Sequence, residues 1–244
     1  MAIETGTFET LLLVELRLGL PPLFCWRLAE IKDDWTFILK FHSLFEGVLT
    51  KLLEEKLALR KITNEHLTIY DSFYSRVQLA ERLKLLDPDY KNYLLSLNHL
   101  RNSIIHNIQF INLRLKDYLD SLDEKDFRKA ARGLGAGWKN IPLESSPPNY
   151  VSALNKLLGN KKTKYVPKTA RELFMYICPK ATIWNSGVYA LDMLSLHFHF
   201  EITGGAILSE PDIEAKLQDL LLDPEVIAFE KKWANRFGGN KSDE

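Results

Sequence analysis

Apolar residues along this chain recur at intervals of three and four, the spacing that aligns side chains on one face of an α-helix. After Asp33 and Asp34, which offer N-caps, Phe37, Ile38, Phe41, Leu44, Phe45, Val48, Leu49 and Leu52 trace a wide stripe. They predict a long helix over about Trp35–Leu57, and a stripe so wide needs a partner helix. Residues 60–71 read as a polar connection. Phe73, Val77, Leu79, Leu83 and Leu86 predict a second helix over about Ser72–Leu86, with Arg76, Arg82 and Lys84 interleaved as on a solvated face. Asp87-Pro88 supplies a cap residue and a proline for a third helix, about Tyr90–Leu113. Leu115–Ala131 reads as one further helix, acidic at Asp123-Glu124 and basic at Lys125, Arg128, Lys129 and Arg132 towards its end. The helix dipole favours that order, so the basic cluster needs no ligand to explain it.

At the two ends the pattern is less decided. Residues 7–20 suit either a short helix or a strand, ended by Pro21-Pro22. From Gly133 to Tyr150 periodicity collapses into Gly-Leu-Gly-Ala-Gly and Glu-Ser-Ser-Pro-Pro-Asn, the composition of a linker. The expected organisation is a helical domain over 1–132 with its core at about 33–132, a linker at 133–149, and a mainly helical C-terminal region over 150–244. That region offers helices at Val151–Leu158, Pro167–Cys178, Asp212–Leu222 and from Asp223-Pro224 through Phe237, with a lysine-rich loop between the first two. Ile183–Leu196 is apolar and suits either a long helix or the approach to a strand. His197-Phe198-His199-Phe200-Glu201 alternates strictly. As a strand it would put both imidazoles and the carboxylate on one face, which two-histidine metal sites require. No third or fourth ligand is identifiable nearby, and a half-buried strand with a polar face explains the same letters. No metal or cofactor is therefore expected.

Candidate chemistry concentrates in the third helix. Leu94, Leu97, Leu100, Ile104, Ile105 and Ile108 fall on one arc, and Arg101 projects from its middle. A guanidinium among leucines and isoleucines is costly unless a carboxylate, a phosphate or a partner chain satisfies it. His99, Asn102 and His106 form a separate polar stripe. On the long helix, His42 and Glu46 sit four residues apart along the edge of the apolar stripe. Glu46 is therefore the residue expected to meet Arg101, with His42 and His99 in support. The plainer alternative is that Arg101 snorkels outward or joins an internal ion pair, while the others touch water.

The run Arg101-Asn102-Ser103-Ile104-Ile105-His106, late in a helix of a helical region, resembles the motif of the HEPN superfamily (higher eukaryotes and prokaryotes nucleotide-binding). That motif is Arg, four to six residues, then His, usually with a polar residue straight after the Arg. The resemblance covers roughly residues 33–132. It implies an antiparallel helical bundle and, for many members, metal-independent endoribonuclease activity in toxins or phage-defence effectors. Other members are non-catalytic modules, here binding a protein partner or a nucleotide. It also implies roles for Arg101 on the phosphate, His106 in proton transfer and Asn102 in positioning. RNA is then the substrate, and a homodimer with a composite site and an antitoxin or regulatory protein are the expected partners. Ile108 stands where some HEPN toxins carry a modifiable tyrosine, so control by that route is not expected.

Bulk properties narrow the setting. The 244 residues carry no net charge, so any nucleic-acid surface must be a local patch. Cys25 and Cys178 are far apart and suggest no disulfide framework. Leu11–Phe24 is interrupted by Glu15, Arg17 and Pro21-Pro22, too short and too charged to span a bilayer. A cytoplasmic protein away from membranes is expected.

Overall fold

The protein's structure, a computed structural model, describes residues 5–59, 72–106, 114–138, 141–143, 152, 165–200 and 211–237. Among them the backbone is helical, with no strand and one isolated bridge, Pro142 to Thr169. In chain order the helices are α1 (Thr5–Leu18), α2 (Phe24–Glu30), α3 (Asp34–Leu59), α4 (Phe73–Arg82), α5 (Pro88–Ile105) and α6 (Leu115–Ser121). They continue with α7 (Glu124–Leu134), α8 (Ala170–Ile177), α9 (Pro179–Phe200), α10 (Pro211–Leu221) and α11 (Pro224–Phe237). The mostly α fold read from the pattern is thus the fold observed.

Local chemistry sets the boundaries. Proline opens α5, α9, α10 and α11, where its fixed φ suits a helix and its missing N–H costs nothing. Asp33 caps α3 by accepting from the Thr36 N–H at 2.7 Å, and Ser72 caps α4 by accepting from Ser75 at 3.1 Å. The expected single helix over Leu115–Ala131 is two. Asp123 is extended at φ −80° and ψ 173°, and its carboxylate accepts from the Asp126 N–H at 2.7 Å. The acidic pair taken for a mid-helix charge is therefore a helix start. Of residues 7–20, those through Leu18 are helical, and α1 ends before Gly19, at φ 64°.

Two of the remaining expectations change with the C-terminal half. Ile183–Leu196 continues through His197 to Phe200 as the single helix α9. On a helix His197 and His199 lie about 200° apart, so the one-faced strand site does not form; their side chains, and Glu201, lie outside the described residues. The stretch from Gly133 begins as the last turn of α7, with Gly133, Leu134 and Gly135 buried. A single cluster of buried side chains runs from Phe8 to Val226 and so includes both flanks of the 133–149 stretch. The short helix expected at Val151–Leu158 and most of the lysine-rich loop lie outside the described residues.

α5 sits at the centre, packed on α3, α4, α7 and α9. At the α3–α5–α9 crossing Tyr93, fully buried, donates its hydroxyl to the Ile183 carbonyl at 2.9 Å. A Cβ on Gly187 would lie 2.6 Å from Phe41 Cε1 and 2.7 Å from Tyr93 Oη. Gly187→Ala is expected to destabilise the fold by about 1–3 kcal/mol through overpacking, despite alanine's better helix propensity. Chemical denaturation of the two proteins measures the difference.

Three further ties hold the helices together. Asp34, at the start of α3, accepts from the Leu115 N–H at 2.8 Å and so pins the start of α6. Arg171 of α8 is buried and donates to the Trp138 carbonyl from Nε at 2.9 Å and from Nη2 at 2.6 Å. Its Nη1 donates to the Arg132 carbonyl at 3.1 Å, so a cation closes the C-terminal end of α7, where the dipole favours one. Glu15, on the buried face of α1, caps α2 from a distance. Its carboxylate accepts from the Leu23 N–H at 2.7 Å and the Cys25 N–H at 2.6 Å.

Candidate functional site

The motif helix α5 ends at Ile105, with His106 as its C-cap; the Asn102 carbonyl accepts from the His106 N–H at 3.1 Å. The residues to Leu113 expected to continue it lie outside the described residues, as does Ile108. Leu94, Leu97, Leu100 and Ile104 are all buried within one chain, while Ile105 is exposed. The arc is thus covered largely by neighbouring helices of the same chain. Burial of these four residues does not require a second copy.

Arg101 is half-buried, and its Nη1 donates to Asn102 Oδ1 at 2.9 Å. Among the described residues no carboxylate pairs with it. Glu46, the expected partner, faces its own helix neighbour instead: Glu46 Oε2 lies 3.6 Å from His42 Nδ1. His42 is buried; its Nε2 lies 3.1 Å from Asn98 Oδ1, and its ring sits 4.3 Å from that of Phe73. Asn98 Oδ1 can only accept, so Nε2 of His42 donates, while Nδ1 has no hydrogen-bond partner. Burial pushes the His42 pKa down, and the Arg101 charge adds to that; Glu46 and Asn98 oppose it. The cluster between α3 and α5 is therefore buried His42 with the half-buried Asn98 and Arg101, and Glu46 at its rim. Asn98 is the member that sequence reasoning left out. It sits three residues before Arg101 and four before Asn102, the spacing of one helical face.

The expected site divides around α5. Arg101 and His106 are five residues apart, which turns them by about 140° and separates them by about 7.5 Å along the axis. Arg101 lies on the side facing His42. His99 and His106 are both exposed and lie on the flank turned away from it. On that flank a groove of about 770 Å³ opens between α5, α6 and α7, lined by Asn92, Ser96 and His99 of α5, Tyr118 of α6, and Asp126 and Lys129 of α7. Asn92, Ser96, His99 and Ser103 recur at four, three and four residues, a continuous polar stripe of which the sequence expectation contains only His99. Ser103 donates to the His99 carbonyl at 3.0 Å, and the Tyr118 side chain bonds Ser103. Burial raises the Tyr118 pKa, and Asp126 adds to the rise.

No three His, Cys, Asp or Glu side chains gather to hold a metal among the described residues, and none of their helices is long and apolar enough to cross a membrane. Compared with protein-family models, with curated proteins and with solved structures, the chain matches none.

Proposed function

We propose that the protein is a metal-independent endoribonuclease of the HEPN type. Arg101 holds the scissile phosphate, Asn102 orients the guanidinium, and His106 takes the proton from the attacking ribose 2′-hydroxyl. The observation that carries this reading is the partner of Arg101. A half-buried guanidinium bonded to a neutral amide, and to no described carboxylate, keeps its charge for an incoming anion. His106 is exposed at the end of the same helix, where an RNA strand has access to it. Attack of the 2′-oxygen on the adjacent phosphorus breaks the bond to the 5′-oxygen, which leaves with a proton. The products are a 2′,3′-cyclic phosphate and a 5′-hydroxyl.

The separation of Arg101 and His106 around α5 favours a composite arrangement, in which the His106 of a second copy faces the phosphate held by Arg101. Exposed Ile105, between them in sequence, supplies an apolar contact for such a pairing. The same separation favours the non-catalytic reading if no second copy joins. Incubating the purified protein with RNA in EDTA decides between them. Cleavage leaving 2′,3′-cyclic phosphate ends, from a protein that runs as a dimer in light scattering, is the expected result. RNA left intact at stoichiometric protein, or cleaved only with added metal, overturns the proposal.

A further inference from the structure

The groove between α5, α6 and α7 is an interhelical seam with a mixed lining, in which Leu95, Leu100 and Leu122 stand beside polar groups. α5 and α7 come closest at Gly133, where a Cβ would lie 2.7 Å from Ser96 Cβ. A glycine is thus needed for the two helices to touch there. Away from that contact the lining includes Asn92, His99, Asp126 and Lys129, with Asp89 and Arg132 adding one charge of each sign. None of the first four side chains makes a hydrogen bond or ion pair with a described residue. The groove therefore presents an amide, an imidazole, a carboxylate and an ammonium with their bonding capacity open, beside the Tyr118 ring.

We propose that this groove seats the nucleotide flanking the scissile phosphate and selects a base that carries an exocyclic amine. The class of ligand rests on the ribonuclease reading; the site rests on the groove. A volume of about 770 Å³ lies within the range of small-molecule clefts. An asparagine amide offers a donor and an acceptor side by side, the pattern that pairs with the amine-bearing edge of adenine. The Asp126 carboxylate accepts from an amine but repels a carbonyl, which disfavours uracil. Lys129 supplies a cation for the nucleotide's phosphate, and the exposed His99 ring offers a surface for the base. His99 and His106 share one flank of α5, about 10 Å apart along its axis. A strand with one nucleotide in the groove thus runs towards His106.

The test is a titration of the full-length protein with AMP, CMP, GMP and UMP, followed by backbone amide NMR. The amides of Asn92, Ser96, His99 and Gly133 are expected to shift, with UMP binding about tenfold more weakly than AMP. Asn92→Leu should reduce that preference, Asn92→Leu with Asp126→Leu should remove it, and Lys129→Glu should weaken all four. No shift at groove amides, equal binding of UMP and AMP, or the same shifts with inorganic phosphate alone overturns the inference. Failure here is separable from failure of the ribonuclease reading. Nucleotides that bind in the groove of a protein that leaves RNA intact support the site and remove the activity. RNA cleavage with an unoccupied groove removes the site alone.

Discussion

Glu15→Ala is expected to lower the unfolding free energy by about 2–5 kcal/mol, since it leaves the Leu23 and Cys25 N–H groups buried without an acceptor. The Glu15 side chain is 1% exposed, so water cannot replace it without opening the contact between α1 and α2. Two opposed effects act on its charge. Burial raises the pKa from 4.5 to about 7, while the bonds to Cys25 and Leu23 and the nearby Arg27 pull it down. Burial wins. A carboxyl whose folded pKa lies above its unfolded value stabilises the fold fully below about pH 4.5, and that contribution is lost as pH rises through about 7. The loss amounts to about 3 kcal/mol. Glu15→Gln carries no ionisable group there, so its stability should lack this fall. Denaturation series at pH 5 and pH 8 check both statements: a stability difference between wild type and Glu15→Gln that does not change with pH would show that the buried carboxyl is not titrating as described.

On the ribonuclease reading, His106→Ala should reduce RNA cleavage by about 10²- to 10⁴-fold, the usual worth of a positioned proton carrier. Its effect on stability should stay within about 0.5 kcal/mol, because His106 is exposed and its backbone keeps the C-cap bond. Arg101→Ala should cut cleavage by a comparable factor, but its half-buried side chain also lines the His42 cluster, so its melting temperature should shift as well. The contrast separates the two readings. An internal Arg101 with no phosphate to hold predicts a stability loss in Arg101→Ala and no change in any activity from His106→Ala. Full cleavage by His106→Ala would remove the catalytic assignment outright.

Helices were legible where short-range rules decide them. The Asp33 cap, the Asp87-Pro88 start and the Pro224 start each lie within a few residues of what they control, and α3, α5 and α11 appear at those places. The split between α6 and α7 was also local, but Asp123 was read through its charge rather than its capping oxygen. Which side chain meets which across helices is set by rotation and tilt, which no single helix pattern contains. Glu46 therefore faces His42 rather than Arg101. Glu15 looked like an interruption of an apolar run, because its two backbone donors lie beyond a turn. The groove was half legible: Asn92, Ser96, His99 and Ser103 spell a polar face, but only the position of Gly133 on α7 turns that face towards a second wall.

α1 packs against α9 and α10, at the opposite end of the sequence. Helical proteins built from near-neighbour contacts fold within microseconds to milliseconds, and distant pairings slow that search. Here α1 packs on the nearby α2 and α3 as well, but its contacts with α9 and α10 close a loop of well over 150 residues. During synthesis Leu11, Leu12 and Val14, buried in the finished protein, leave the ribosome long before their partners exist. That part of the α1 face stays uncovered until α9 and α10 have been made.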